Sequence, residues 1–170
     1  MEIADSAGSD QARRCKIKSD ALRLLSFSPR SVVELRQRLL MKKYPESDID
    51  EVIALFQKQG LLNDEKFARL YANSKVHSKP VGRRQLAIDL KRKGLSPELI
   101  EKSLSNLPDY DEKSAARELV ARRFERMSGI SGERKKARLF GFLKRRGFSQ
   151  EVIYSVLTDL FKGDAANESF

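Results

Sequence analysis

The stretch "LKRKGLSPELI" at residues 90–100 returns as "LKRRGFSQEVI" at residues 143–153, and this repetition constrains the chain more than any other feature. A gapless alignment of Leu86–Leu107 with Leu139–Leu160 is identical at 10 of 22 positions, including Leu86/Leu139, Leu90/Leu143, Gly94/Gly147 and Ser96/Ser149. About one or two matches would arise from composition alone. A fainter copy carries Leu35 and Leu39, has Lys43 in the glycine's place, and slips by four residues before Val52 and Ile53. Three copies of a unit too small to bury itself predict an array stacked around a continuous core.

Each copy has its own local logic. Leu86, Ala87 and Leu90 share one helical face, the spacing of an amphipathic helix. Gly94 and Gly147 stand where a helix ends in a left-handed residue, a conformation without Cβ cost for glycine. Ser96 and Ser149 then cap the next helix, with Pro97 at a position where its missing N–H is harmless. That helix carries Leu99, Ile100, Ser103, Leu104 and Leu107 on one side; Val152, Ile153, Val156, Leu157 and Leu160 repeat the pattern. Ser31 and Glu34 have the spacing of a capping box. A further helix precedes each pair. "DALRLLSF" opens the first copy, "EKFARLYANSKV" the second with Phe67, Leu70 and Tyr71 on one face, and "DEKSAARELVARRFERM" the third with Ala116, Leu119, Val120, Phe124 and Met127.

The fold predicted is all-α: three tandem three-helix repeats stacked into an elongated, curved array. Repeat 1 covers 13–62, repeat 2 covers 63–107 and repeat 3 covers 108–161. Disordered tails are expected at 1–12 and 162–170, and linkers at "KPVG" (79–82), "NLPDY" (106–110) and "SGISG" (128–132), where breaker residues cluster.

Composition excludes much chemistry. Cys15 and His77 are the only cysteine and histidine, which leaves neither a disulfide framework nor a Cys/His zinc site. Phosphate-binding glycine loops are absent, and the Gly129/Gly132 pair reads as a linker. Asp48 and Asp50 fit a helix N-terminus better than acid–base work. The expectation is a non-enzymatic protein with no catalytic residues, metal or cofactor. With no signal peptide and no long apolar run, a cytoplasmic protein independent of membranes is expected, and a monomer is expected as well.

A net charge of +10 calls for an anionic partner. Residues 83–93 carry five basic groups against one acid, and residues 117–147 carry eleven against three. The candidate binding face comprises Arg83, Arg84, Lys91, Arg92 and Lys93, then Arg122, Arg123, Arg126, Arg134, Lys135, Lys136, Arg138, Lys144, Arg145 and Arg146. Helix dipoles account for cations in last turns, but not for "ERKKAR" at 133–138 near a helix start. Aromatic residues near these runs are scarce, so a dedicated single-strand stacker is not indicated.

Four segments, in order, give the chain its resemblance to a family. They are "RSVVEL" (Arg30, Ser31, Glu34, Leu35), "GLLNDEKFA" (Gly60, Leu62, Asp64, Phe67, Ala68), "GRRQLAIDLKRKGL" (Gly82, Leu86, Leu90, Lys93, Gly94) and "FLKRRGF" (Leu143, Arg146, Gly147, Phe148). Together they resemble the RecX family of recombinase regulators over about residues 20–160. The resemblance implies a protein lodged in the helical groove of the RecA–single-stranded DNA filament, inhibiting filament growth, recombinase and coprotease activities. It thereby implies a role in DNA repair and the SOS response. The first copy departs from the family in "KKYPESD", which lacks the glycine corner. The residues by themselves leave two other readings open: a helical protein acting directly on single-stranded or duplex DNA, and an adaptor for some other acidic protein.

Overall fold

The leucine pair opening each copy of the repeat is where each core closes. Leu35 and Leu39, Leu86 and Leu90, and Leu139 and Leu143 are all 0% exposed. The computed structural model describes residues 3–78, 80–105, 107 and 110–167, and among them there are nine helices and no strand. They run α1 (Ile3–Phe27), α2 (Val32–Leu40), α3 (Glu46–Lys58), α4 (Asp64–Ser78), α5 (Arg83–Arg92), α6 (Pro97–Ser105), α7 (Glu112–Phe124), α8 (Gly132–Arg145) and α9 (Gln150–Asn167).

Helices pack chiefly within three consecutive groups, α1–α3, α4–α6 and α7–α9. Buried apolar side chains separate likewise into three clusters, one per group. The continuous core expected from stacking is therefore three cores, because the units meet through polar helix ends rather than apolar faces. Full burial of a Leu or Ile contributes roughly 1.5–3 kcal/mol, so each unit has substantial cohesion of its own.

The junction between units is built twice on one plan. At the first, the start of α2 meets the α5–α6 corner and the start of α4. Ser31 accepts from Glu34 N–H at 3.1 Å while its own N–H donates to Glu34 Oε2 at 3.3 Å, the predicted capping box. Its hydroxyl also donates to the Lys93 carbonyl at 2.6 Å, and Val32 N–H donates to Asp64 Oδ1 at 2.8 Å. Lys93 Nζ donates to Glu34 Oε1 at 2.6 Å. At the second junction, the start of α5 meets the α8–α9 corner and the start of α7. Gly82 N–H donates to the Arg146 carbonyl at 2.8 Å, and Arg83 N–H to Glu112 Oε1 at 3.1 Å. Asp64 and Glu112 are the first residues of α4 and α7. In both places the following unit satisfies N–H groups that a helix start leaves orphaned.

The corner glycines do two jobs at these junctions. Gly94 and Gly147 have φ +83° and +78°, the left-handed conformation expected of them. They also sit where no Cβ fits: one on Gly94 would lie 2.3 Å from Val33 Cγ2, and one on Gly147 2.4 Å from the Gln85 nitrogen. In the first unit Lys43 takes the left-handed conformation itself, at φ +62°, so the corner persists without its glycine. There Lys42, the counterpart of Lys93, bonds inside its own unit, to Asp20 at 2.6 Å.

Ser31 is 0% exposed and serves both its own helix and the next unit. Ser31→Ala is expected to cost about 1–3 kcal/mol, combining a lost cap with a stranded carbonyl. Urea unfolding monitored by circular dichroism measures it.

The structure differs from the sequence reading at both ends. The backbone is helical from Ile3 and as far as Asn167, where tails are expected. Near the start, Arg13 ties Asp10 at 2.7 Å to the buried Asp48 at 2.6 Å, anchoring the early turns of α1 on α3. Residues 1–2 and 168–170 of the expected tails, and linker positions 79, 106, 108 and 109, lie outside the described residues. A second difference is Leu70, which is 44% exposed; the buried face of α4 is Phe67, Ala68, Ala72 and Val76.

Asp48, in the first turn of α3, is 3% exposed, and Arg14 reaches it at 3.3 Å beside Arg13. The hydrogen bond from Arg13 holds its carboxyl below the usual aspartate range, against the opposing effect of burial. Lys42 and then Tyr44 lower Asp20 in the same way. A carboxyl depressed in the fold stabilises it above the unfolded pKa of about 4, and that contribution is lost as pH falls through the folded value. Asp64, raised by burial, runs in the opposite sense. The depressed groups of the first unit outnumber it, so the melting temperature is expected to drop below roughly pH 4. Asp48→Asn should flatten that acid limb in melting curves.

Candidate functional site

Arginines from the end of α7 and from α8 line a groove in the third unit. On α7 and the turn after it, Arg122, Arg123 and Arg126 follow Leu119; on α8, Arg138 and Arg145 flank Gly141 and Phe142, with Arg146 closing the end. Residues three and four apart on a helix are surface neighbours, which brings Arg122 and Arg123 beside Arg126. Arg138 and Arg145, two turns apart, share one side of α8, and packing of α8 on α7 makes the two sets face one another. Met127 and Ile130 supply part of the floor, and the space enclosed is about 840 Å³. Six arginines line it and no carboxylate does.

Phe142 organises the cations. Arg123 lies over its ring at 4.6 Å from the centroid and Arg146 at 5.3 Å. Stacking on a ring face orients a guanidinium without consuming its hydrogen-bond donors. Arg146 Nη1 also donates to the Pro80 carbonyl at 3.1 Å, which links the groove to the junction with the second unit. Gly141 keeps the wall low, since a Cβ there would stand 3.3 Å from Arg145 Nη1. On the outer side Arg122 pairs with Glu118, one turn earlier. Guanidinium groups present planar forks of donors matched to phosphate and carboxylate oxygens. A lining of this kind is chemically suited to an anion.

The sequence-predicted face is thus divided. Arg122, Arg123, Arg126, Arg138, Arg145 and Arg146 come together in the groove. Lys135 lies over the Phe124 ring at 4.6 Å, while Arg134, Lys136 and Lys144 are exposed elsewhere on α8. Arg84, Lys91 and Arg92 are exposed on α5, outside the groove. Lys93 and Arg83 have internal tasks. Lys93 bridges to Glu34 and lies over Tyr71 at 5.0 Å; Arg83 Nη1 donates to the Leu104 carbonyl at 2.5 Å. Phe142 is the residue of this groove that sequence reasoning misses, since a scarcity of aromatics hides the ring over which two of its arginines lie. Its signal is its position three and four residues before Arg145 and Arg146.

Comparison with known proteins identifies this architecture. The first, second and third three-helix domains of RecX match residues 18–54, 63–104 and 109–157. The chain belongs to the RecX family. Regulatory protein RecX of Streptomyces coelicolor is 35% identical over 136 residues, 80% of this chain and 72% of that protein. Its namesake in Chlorobium limicola is 35% identical over 142 residues, 84% and 87% of the two chains. That of Mycolicibacterium smegmatis is 32% identical over 158 residues, 91% and 84%. The crystal structure of RecX from Lactobacillus salivarius superposes with a TM-score of 0.80 at 23% identity, covering 88% of this chain and 97% of that one. A second crystal structure, of a regulatory protein RecX, gives 0.84 at 21% identity, with 94% and 78% covered. These two carry the fold. The RecX family is one of regulatory proteins, and this member has a regulatory role.

Proposed function

We propose that this RecX-family chain binds the RecA–single-stranded DNA filament and inhibits its growth, with its recombinase and coprotease activities. Control of DNA repair and of the SOS response follows from that inhibition. The observation that carries the reading is the arginine groove of the third unit, a carboxylate-free receptor lined by six guanidinium groups. A filament of protein and DNA offers a line of phosphates with acidic protein surface beside it, and an array of three units bridges successive protomers by effective concentration. The chain works in this reading as a cytoplasmic, non-enzymatic monomer.

Salt dependence does not by itself single out this groove, because any protein contacting several phosphates loses affinity steeply with salt. The decisive experiment is DNA-dependent ATP hydrolysis by preformed RecA filaments, titrated with this chain near physiological salt. Loss of hydrolysis at far fewer molecules than RecA protomers is the expected result. Loss only on saturating the DNA would favour the second reading, a helical protein competing directly for the strand, to which the same groove is suited.

A further inference from the structure

The exposed Leu70 has a neighbourhood of its own. Leu25 from the end of α1, Leu61 from the α3–α4 turn and Leu70 from α4 form an apolar depression of about 210 Å³ where the first and second units meet. Leu61 and Leu70 are 51% and 44% exposed. Exposed leucines are ordinary singly; here two of them line one concavity. Arg30 and Lys66 stand in the same lining, with no carboxylate among the lining residues. Arg30 is oriented by its Nε, which donates to the Leu24 carbonyl at 3.3 Å, leaving the terminal nitrogens of its fork for a ligand.

We propose that this depression docks an acidic segment of a partner protein. It seats one bulky apolar side chain against Leu61 and Leu70 while flanking carboxylates meet Arg30 and Lys66. Charge complementarity selects the occupant: an apolar peptide leaves two cations facing it, and an acidic peptide without a large side chain leaves the leucines wet. Nucleic acid is the poorer match, because the exposed apolar side chains of the lining, Leu61 and Leu70, are aliphatic, while its one ring, Phe67, is 5% exposed and base stacking needs an accessible ring. The size suits one side chain, not a helix-long stripe. This surface is separate from the arginine groove of the third unit and does not rest on the RecA reading.

The test is an NMR titration of the full chain, labelled with nitrogen-15, against a short peptide of aspartates and glutamates carrying one phenylalanine. An alanine-containing counterpart and an oligothymidylate serve as competitors. The expected result is selective shifts at the amides of Gly60, Leu61, Lys66 and Leu70 with the phenylalanine peptide. Leu70→Glu should weaken binding roughly tenfold or more, as removal of an apolar anchor does, with no change in melting temperature. Equal binding of the alanine peptide, shifts confined to the arginine groove, or no shift at all would overturn the proposal. So would oligothymidylate shifting the same amides more strongly. Concentration-dependent self-association abolished by Leu70→Glu would assign the surface to a second copy and overturn it equally.

Discussion

Gly147→Val is expected to lower the melting temperature by roughly 5–15 °C, at about 2–4 °C per kcal/mol for a chain of this length. Two independent costs add. A left-handed backbone costs an ordinary residue about 1–2 kcal/mol, and a β-branched one more. The new Cβ also meets backbone, the Gln85 nitrogen at 2.4 Å, which cannot rotate away as a side chain tip would. The third unit must then move off the second, breaking the Gly82–Arg146 hydrogen bond. Gly129→Val separates the two costs, because Gly129 has φ +71° and a Cβ added there meets nothing within 4 Å. It carries backbone strain alone and should cost clearly less. Calorimetry of both variants checks this, and equal melting temperatures would refute the close approach between units.

On the proposed reading, Arg123→Glu combined with Arg126→Glu is expected to shift RecA inhibition to about ten- to hundredfold higher concentration. It should cost no more than about 1–2 kcal/mol of stability, from the helix dipole and the lost ring contact. Both side chains are exposed, so the core of the third unit is untouched. The substitution places carboxylates inside a lining that has none and removes the cation stacked on Phe142. The salt dependence of binding should flatten as well, by about one unit of slope for each phosphate no longer engaged. Lys91→Glu with Arg92→Glu makes the same change of net charge on α5, outside the groove. A matching loss of inhibition from that pair would show that total charge, not the groove, governs the effect.

Much of this is legible in the sequence for physical reasons. Leu35 and Leu39, with their counterparts in the later copies, mark cores because a helix pattern of period 3.6 has only one face to bury. Gly94, Gly147, Ser96 and Ser149 mark helix ends because backbone conformation and orphan N–H groups restrict the residues there; Ser96 and Ser149 do accept the capping bonds, from Leu99 and Val152. What stays hidden needs partners remote in sequence. Asp64 and Glu112 look like ordinary first-turn acids, and nothing local shows that each accepts from a helix start about thirty residues earlier. Lys93 sits in a run of cations and reads as surface, although its carbonyl and ammonium both hold the first unit. Charge alone marks the arginines of 122–126 and 138–146, but only folding decides that they face one another while Arg84, Lys91 and Arg92 do not.

The twice-built junction gives the chain a direction, like coupled railway carriages. The first unit offers its α2 start as a socket, the third offers its α8–α9 corner as a plug, and the middle unit carries both fittings, with Gly82 and Gly94 at opposite ends of α5. Length in such a train is a matter of how many middle carriages are coupled, since a duplicated segment brings its own matched fittings. Both couplings use the same two fittings, a corner carbonyl and a first-turn carboxylate that accept from a helix start, so each unit is held to the next by its own helix ends.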